Sequence, residues 1–151
     1  MEQRYNTILV GLDGSPQANH AFECAVEVAR RNDARLIAVS IIQHQMYDLL
    51  GYGNISHNAL THEAKEFTEL LEEVKVWAKS IDFPNVETEV IYGNPKELLA
   101  HTLPKKYGVD LIMVGQSGLN TIERFMVGSV SDFVIRNAPC DVLVVAEEVV
   151  K

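Results

Sequence analysis

Apolar runs alternating with helical patterns constrain this chain more than any other feature. Tyr5–Leu12 (YNTILVGL) is nearly continuous in apolar residues, as a strand covered on both faces must be. It ends in Gly11-Leu12-Asp13-Gly14-Ser15-Pro16, where Ser15 reads as a helix N-cap and Pro16 as the first helical residue. Ala18, Ala21, Phe22, Ala25, Val26 and Ala29 then recur at helical spacing, with Glu23, Glu27, Arg30 and Arg31 off that stripe. Arg35–Ile42 is the second strand. A second helix is predicted from near Thr61, carrying Phe67, Leu70, Leu71, Val74, Ala78 and Ile81, with Trp77 packing beside them. Val86–Tyr92 alternates apolar and polar, the pattern of a half-exposed strand at a sheet edge. Asn94-Pro95-Lys96-Glu97 opens the next helix, with Asn as cap, Pro at the first position and Glu at the capping-box position. Pro104 predicts a kink or an early end there, because it cannot donate to the Ala100 carbonyl. Asp110–Val114 is a fourth strand, Ser129–Asn137 a helix stopped before Pro139, and Asp141–Ala146 a fifth strand.

This alternation predicts an α/β fold, since parallel strands joined by right-handed crossovers put helices on both faces of one sheet. The expected architecture is a single doubly wound domain over residues 1–151, with a five-stranded parallel sheet in the order 3-2-1-4-5. A chain of 151 residues is long enough to bury about 68–70% of its unfolded surface, so it needs no disulfide or metal staple. No internal repeat or linker interrupts the pattern. Gln43–Leu60, with Asp48 its one formal charge, reads as a long loop of the kind that forms lids or binding segments.

Charge and composition remove several function classes. Thirteen basic against 21 acidic side chains give a net charge of −8, which argues against nucleic acid or an anionic membrane as partner. No apolar run approaches the roughly 18 residues of a membrane span. The first residues do not read as a secretory signal. Cys24 and Cys140 lie far apart and in no metal spacing, which suits a reducing cytoplasm.

The stretch that carries chemistry is Gly115-Gln116-Ser117-Gly118, then residues 119–127, then Gly128-Ser129-Val130-Ser131. It follows a buried strand and leads into a helix, and its physics is that of an anion site. Glycines remove the side chains that would hold a phosphate away from the backbone. Amides near Gly128 and Ser129 are unsatisfied donors at a helix head, and the helix dipole adds partial positive charge. The Ser129 and Ser131 hydroxyls offer further donors. Taken one by one, the same glycines read as turns and Ser129 as an N-cap.

The spacing G-x2-G-x9-G-[ST], with the strand ending in Asp13, the Ser-Pro helix start and the closing VLVV strand, resembles the ATP-binding branch of the universal stress protein family. That resemblance spans nearly the whole chain. It implies that Gly115, Gly118, Gly128, Ser129, Val130 and Ser131 surround ribose and phosphates. It also implies that Asp13 lies near the adenine, that Ile41 packs on the base, and that Gly11, Leu12 and Val114 border the site. Ser117 departs from the His or Arg of many members, and Asp141 from a common proline. Neither a Walker A motif nor a dinucleotide GxGxxG is present.

Asp13 has a case of its own, because ligands of doubly wound sheets bind at the carboxyl ends of strands where the order reverses. An Asx-turn within LDGS is its bland role, and the two can coexist. Arg124 reads as a phosphate neutraliser, a contact to a dimer mate, or a solvated side chain. Lys96, Lys105 and Lys106 read as solvated. His44, His57 and His62 have no zinc spacing, and His20 and His101 read as surface or boundary residues. Cys24 reads as helix packing.

The function expected is nucleotide-dependent regulation in stress response, with ATP or another adenine nucleotide bound together with Mg²⁺ or Mn²⁺. A slow ATPase, a phosphoryl or nucleotidyl transferase, and a nucleotide-free dimerisation module are the rivals. The apolar edge strand 141–146 and the family resemblance together imply a homodimer through that strand.

Overall fold

The computed structural model describes residues 4–43, 53–116 and 128–146, with side chains described outside 53–60. Its strands are β1 (Thr7–Gly11), β2 (Arg35–Ile42), β3 (Val86–Tyr92), β4 (Leu111–Gly115) and β5 (Asp141–Val145). They form one parallel sheet in the order β3-β2-β1-β4-β5. The order read from the sequence is therefore the order observed.

The continuous apolar runs are explained by two cores. Ile8 and Val10 of β1 point to one face, with Leu36, Ala38 and Met113, under α1 (Pro16–Asn32) and α2 (Gly53–Ser80). Leu9 points to the other, with Ile37, Val39, Ile112 and Val114, under Leu99, Ala100, Leu103 and Val134. Phe22, 1% exposed in the first core, is a side chain whose burial contributes about 1.5–3 kcal/mol. Trp77 packs on it with ring centroids 6.0 Å apart. β3 is the edge strand its alternation predicts: Val86 is buried while Glu87 and Tyr92 are exposed.

Two helix boundaries differ from the sequence reading. The backbone of α2 is helical from Gly53 rather than Thr61, so the second half of the presumed loop is helix. Gly53, Asn54, Ser56 and Asn58 are weak helix formers and hide a start that the packed downstream turns sustain. Residues 44–52 lie outside the described residues. Pro104 does not end its helix: α3 (Pro95–Glu97) runs into a π turn (Leu98–Thr102) and on into α4 (Leu103–Tyr107). The Leu103 N–H reaches the Leu98 carbonyl, five residues back, and this wider turn absorbs the donor that Pro104 lacks. Gly108, at φ 66°, caps α4. Glu97 does not complete a capping box; its carboxylate pairs with His101 at 3.0 Å.

Candidate functional site

The site begins where β1 and β4 lie side by side, paired Ile8 to Leu111 and Val10 to Met113. From β1 the chain enters α1 on one face, and the chain beyond β4 reaches α5 (Ser129–Asn137) on the other. The sheet order reverses between these strands, so their carboxyl ends open a crevice. A cavity of about 440 Å³ occupies it. Gly11, Leu12, Asp13, Ile41, Val114, Gly115, Gly128, Ser129, Val130 and Ser131 all line it. Gly118 and Arg124, also singled out by the sequence, lie outside the described residues, as do Ser117 and His44.

The end of β1 is locked from beneath. The Leu12 N–H donates to the Val39 carbonyl at 2.8 Å, and the Leu12 carbonyl accepts from the fully buried Ser40 hydroxyl at 2.7 Å. The Leu12 amide and carbonyl are thereby both engaged within the fold, and the residue is buried in the cavity wall. Asp13 makes the Asx-turn its bland reading supposes, with Oδ1 accepting from the Ser15 N–H at 2.9 Å. An exposed carboxylate so engaged keeps acceptor capacity for a second donor. Ser15 in turn caps α1, accepting from the Ala18 N–H at 3.2 Å. Ser40→Ala leaves a buried carbonyl without its donor, which costs about 1–3 kcal/mol. A lower denaturant midpoint at unchanged slope is the expected result.

Across the cavity, Gly115 allows a close approach. A Cβ on Gly115 would lie 2.8 Å from the Gln17 carbonyl oxygen and 3.0 Å from its carbon. Glycine thus lets the first turn of α1 rest on the end of β4. Ser131 Oγ donates to the Gly115 carbonyl at 3.3 Å, tying α5 to the same strand end. That hydroxyl, read from the sequence as a donor to phosphate, is engaged with the Gly115 carbonyl in this structure. Ser129 is not the N-cap either. Gly128 holds that position, and no side chain among the described residues caps the helix. The amides of Ser129, Val130 and Ser131 have no intrahelical acceptor, lie at the positive end of the helix dipole, and belong to residues that line the cavity.

A second recess of about 290 Å³ adjoins the first and is lined by Gln43, Gly93, Asn94, Pro95, Lys96, Ser129 and Val130. Lys96, read as solvated, is partly exposed and borders this recess. Lys105 is exposed as read. Lys106 pairs with Glu89 at 3.0 Å, and the Tyr107 hydroxyl donates to the same carboxylate. Burial works to raise the Glu89 carboxyl, but the Tyr107 and Lys106 hydrogen bonds prevail and hold it below its ordinary range.

The remaining candidates among the described residues lie outside both linings. His62 pairs with Glu66 at 3.0 Å, and no group of three or more His, Cys, Asp or Glu could hold a metal ion there. Cys24 packs half-buried against the first core. The Cys140 thiol is raised by burial, with Asp110 and Asp141 adding to it. No helix among the described residues is long and apolar enough to cross a membrane.

Sequence reasoning missed Ser15, Gln17, Ala18, Val39, Gln43, Pro95, Leu99 and Met113 in the cavity wall. Val39 was findable, since it lies two residues from Ile41 on the same strand face. Gln43 and Pro95 follow β2 and β3, so asking what leaves every strand's carboxyl end would have reached both. Leu99 carried no local signal beyond its place in an apolar helix.

Comparison with known proteins agrees with this architecture. The universal stress protein family model matches residues 4–146. A universal stress protein homologue from Staphylococcus haemolyticus is 45% identical over 145 residues, covering 95% of this chain and 86% of the relative. Among solved structures, the universal stress protein UspA from Lactobacillus plantarum superposes with a TM-score of 0.84 at 30% identity, covering 95% of this chain and 99% of that one. A universal stress protein solved in complex with cAMP matches at a TM-score of 0.68 and 29% identity, covering 95% and 98%. The chain belongs to the universal stress protein family.

Proposed function

We propose that this chain binds ATP, or another adenine nucleotide, in the crevice between β1 and β4, and acts in stress response through nucleotide-dependent regulation. The observation that carries the reading is the head of α5, which no described side chain caps, lining one cavity together with the Asp13 turn. Backbone donors of that kind bind phosphate without needing a basic surface. A volume of about 440 Å³ lies within the usual range of small-molecule sites, roughly 300–1,000 Å³. The apolar wall of Val39, Ile41, Leu99 and Met113 suits a flat base, and the Asp13 carboxylate suits its donors. A relative solved with cAMP adds the precedent of an adenine nucleotide on this fold.

In this reading Gly11, Leu12, Asp13, Ile41 and Val114 border base and ribose, and Gly115, Gly118, Gly128, Ser129, Val130 and Ser131 surround ribose and phosphates. Arg124 belongs to the segment between those glycines and supplies a further cation. Mg²⁺ or Mn²⁺ would ride on the phosphates, as such ions do at nucleotide sites. Residues 1–151 act as one unit in the cytoplasm. A second copy covers β5, whose Leu143 and Val144 are 38% and 37% exposed at the sheet edge, by pairing along 141–146.

The test is to denature gently purified protein and identify what it releases by mass, then titrate stripped protein with ATP, ADP, AMP and cAMP while following sedimentation. Release of an adenine nucleotide, saturable ATP binding and a dimer at micromolar concentration are expected. An empty extract together with no binding of any of the four overturns the nucleotide reading. A monomer at all concentrations overturns the dimer alone.

A further inference from the structure

The two recesses divide charge between them. Among the described residues lining them, Asp13 is the acid and lies in the larger one, while Lys96 is the base and lies in the lateral one. The recesses share Gln43, Pro95, Ser129 and Val130, so one extended ligand can run from the first into the second. They meet at the head of α5, where the open amides lie.

Lys96 is half-buried, and its ammonium has no ion pair or hydrogen bond with another described residue. Lysine is among the residues least often buried without a partner. Its neighbours on the same turn are committed elsewhere. Asn94 Oδ1 accepts from the Lys96 N–H at 2.9 Å, so that backbone donor is already capped, and the one cation at this wall among the described residues is the Lys96 side chain. Glu97, the acid beside it, pairs with His101 at 3.0 Å. An amine with no partner among the described residues, in a recess next to a phosphate-type site, is arranged for an anion.

We propose that Lys96 determines specificity at this site by binding the outer phosphates of the ligand, so that nucleoside di- and triphosphates are favoured over monophosphates. The inference rests on the nucleotide reading above. The α5 amides take the phosphate next to the ribose, whatever the length of the chain. Only a longer chain extends past Ser129 and Val130 into the lateral recess and meets the ammonium. Because the whole molecule carries −8, its distant field opposes each added phosphate charge. A local cation at the end of the ligand's path offsets that opposition where it is greatest. Lysine suits the task as a compact point charge on a flexible stem.

The experiment is calorimetric titration of the full chain with ATP, ADP and AMP in low-salt, magnesium-free buffer, comparing the unaltered protein with Lys96→Gln and Lys96→Arg. Lys96→Gln is expected to weaken ATP and ADP by about fivefold to tenfold, the scale of one half-exposed charged contact, and AMP by less than about twofold. Lys96→Arg keeps the charge and restores most of the loss, which separates lost charge from lost fold. Equal losses for ATP and AMP, or an unchanged ATP affinity, overturn the inference while leaving the nucleotide site standing. No binding of any nucleotide by the unaltered protein overturns the nucleotide reading, and this inference with it.

Discussion

Gly115→Ala is expected to lower the stability of the fold by about 1–3 kcal/mol, the usual cost of forcing atoms into a packed site. The cause is a backbone collision. The new methyl would sit 2.8 Å from the Gln17 carbonyl oxygen, and a carbonyl in the first turn of a helix cannot rotate aside as a side-chain tip can. Nor can α1 easily retreat. Its head is fixed by the Ser15 cap and Pro16, and Ala21 and Phe22 behind it are 1% exposed. Whatever shift occurs passes to α5 as well, because Ser131 holds the Gly115 carbonyl. Gly11→Ala is the control, since its Cβ would meet only the Leu99 side chain at 3.6 Å, an ordinary contact. Urea denaturation followed by circular dichroism compares the two. Equal midpoints for Gly115→Ala and the parent would mean that α1 does not rest on β4 as described.

That collision was not visible in the sequence, although Gly115 was. The residue stood out because glycine at a strand end before an anion-type motif has a local meaning. The reason no other side chain fits, Gln17 lying above it, is tertiary. The same division runs through the rest of the chain. Ile8–Val10 announced a strand buried on both faces because its apolar run is continuous, and Ser15-Pro16 and Asn94-Pro95 announced helix heads because capping is a matter of adjacent residues. The sheet order followed once helices and strands alternated. What stayed hidden depended on neighbours distant in sequence or on compensation. Gly53 begins a helix without a cap residue to mark it. Pro104 should have broken one, but the π turn before it takes up the missing bond. Lys96 was not singled out because nothing in GNPKE says that it borders a recess with the end of β2 and the head of α5. Ser131 offered a hydroxyl to a ligand on paper, and in the fold that hydroxyl holds a strand end.

Gly128→Val is expected to separate the site from the fold, reducing ATP affinity about tenfold or more while lowering stability by only about 1 kcal/mol. Gly128 has φ −61° and ψ 159°, extended backbone that valine adopts readily. The substitution therefore introduces no backbone strain, and its stability cost is that of a poor N-cap, about 1 kcal/mol. The ligand faces a different balance. The amides of Ser129, Val130 and Ser131 are useful to a phosphate only if its oxygens come within about 2.7–3.2 Å of them. Gly128 immediately precedes those donors and lines the same cavity, so a branched side chain there is expected to keep the anion out of reach. One charge-assisted hydrogen bond contributes about 1.5–3 kcal/mol, so losing even one accounts for a tenfold change. Gly128→Ser tests the same argument from the other side. Its hydroxyl can cap the free amides, so it should raise stability slightly while competing with phosphate. Titration with ATP beside urea denaturation reads both quantities for both variants. Full ATP affinity in Gly128→Val would mean that the head of α5 does not hold the phosphates, and the site would have to be sought elsewhere along the crevice.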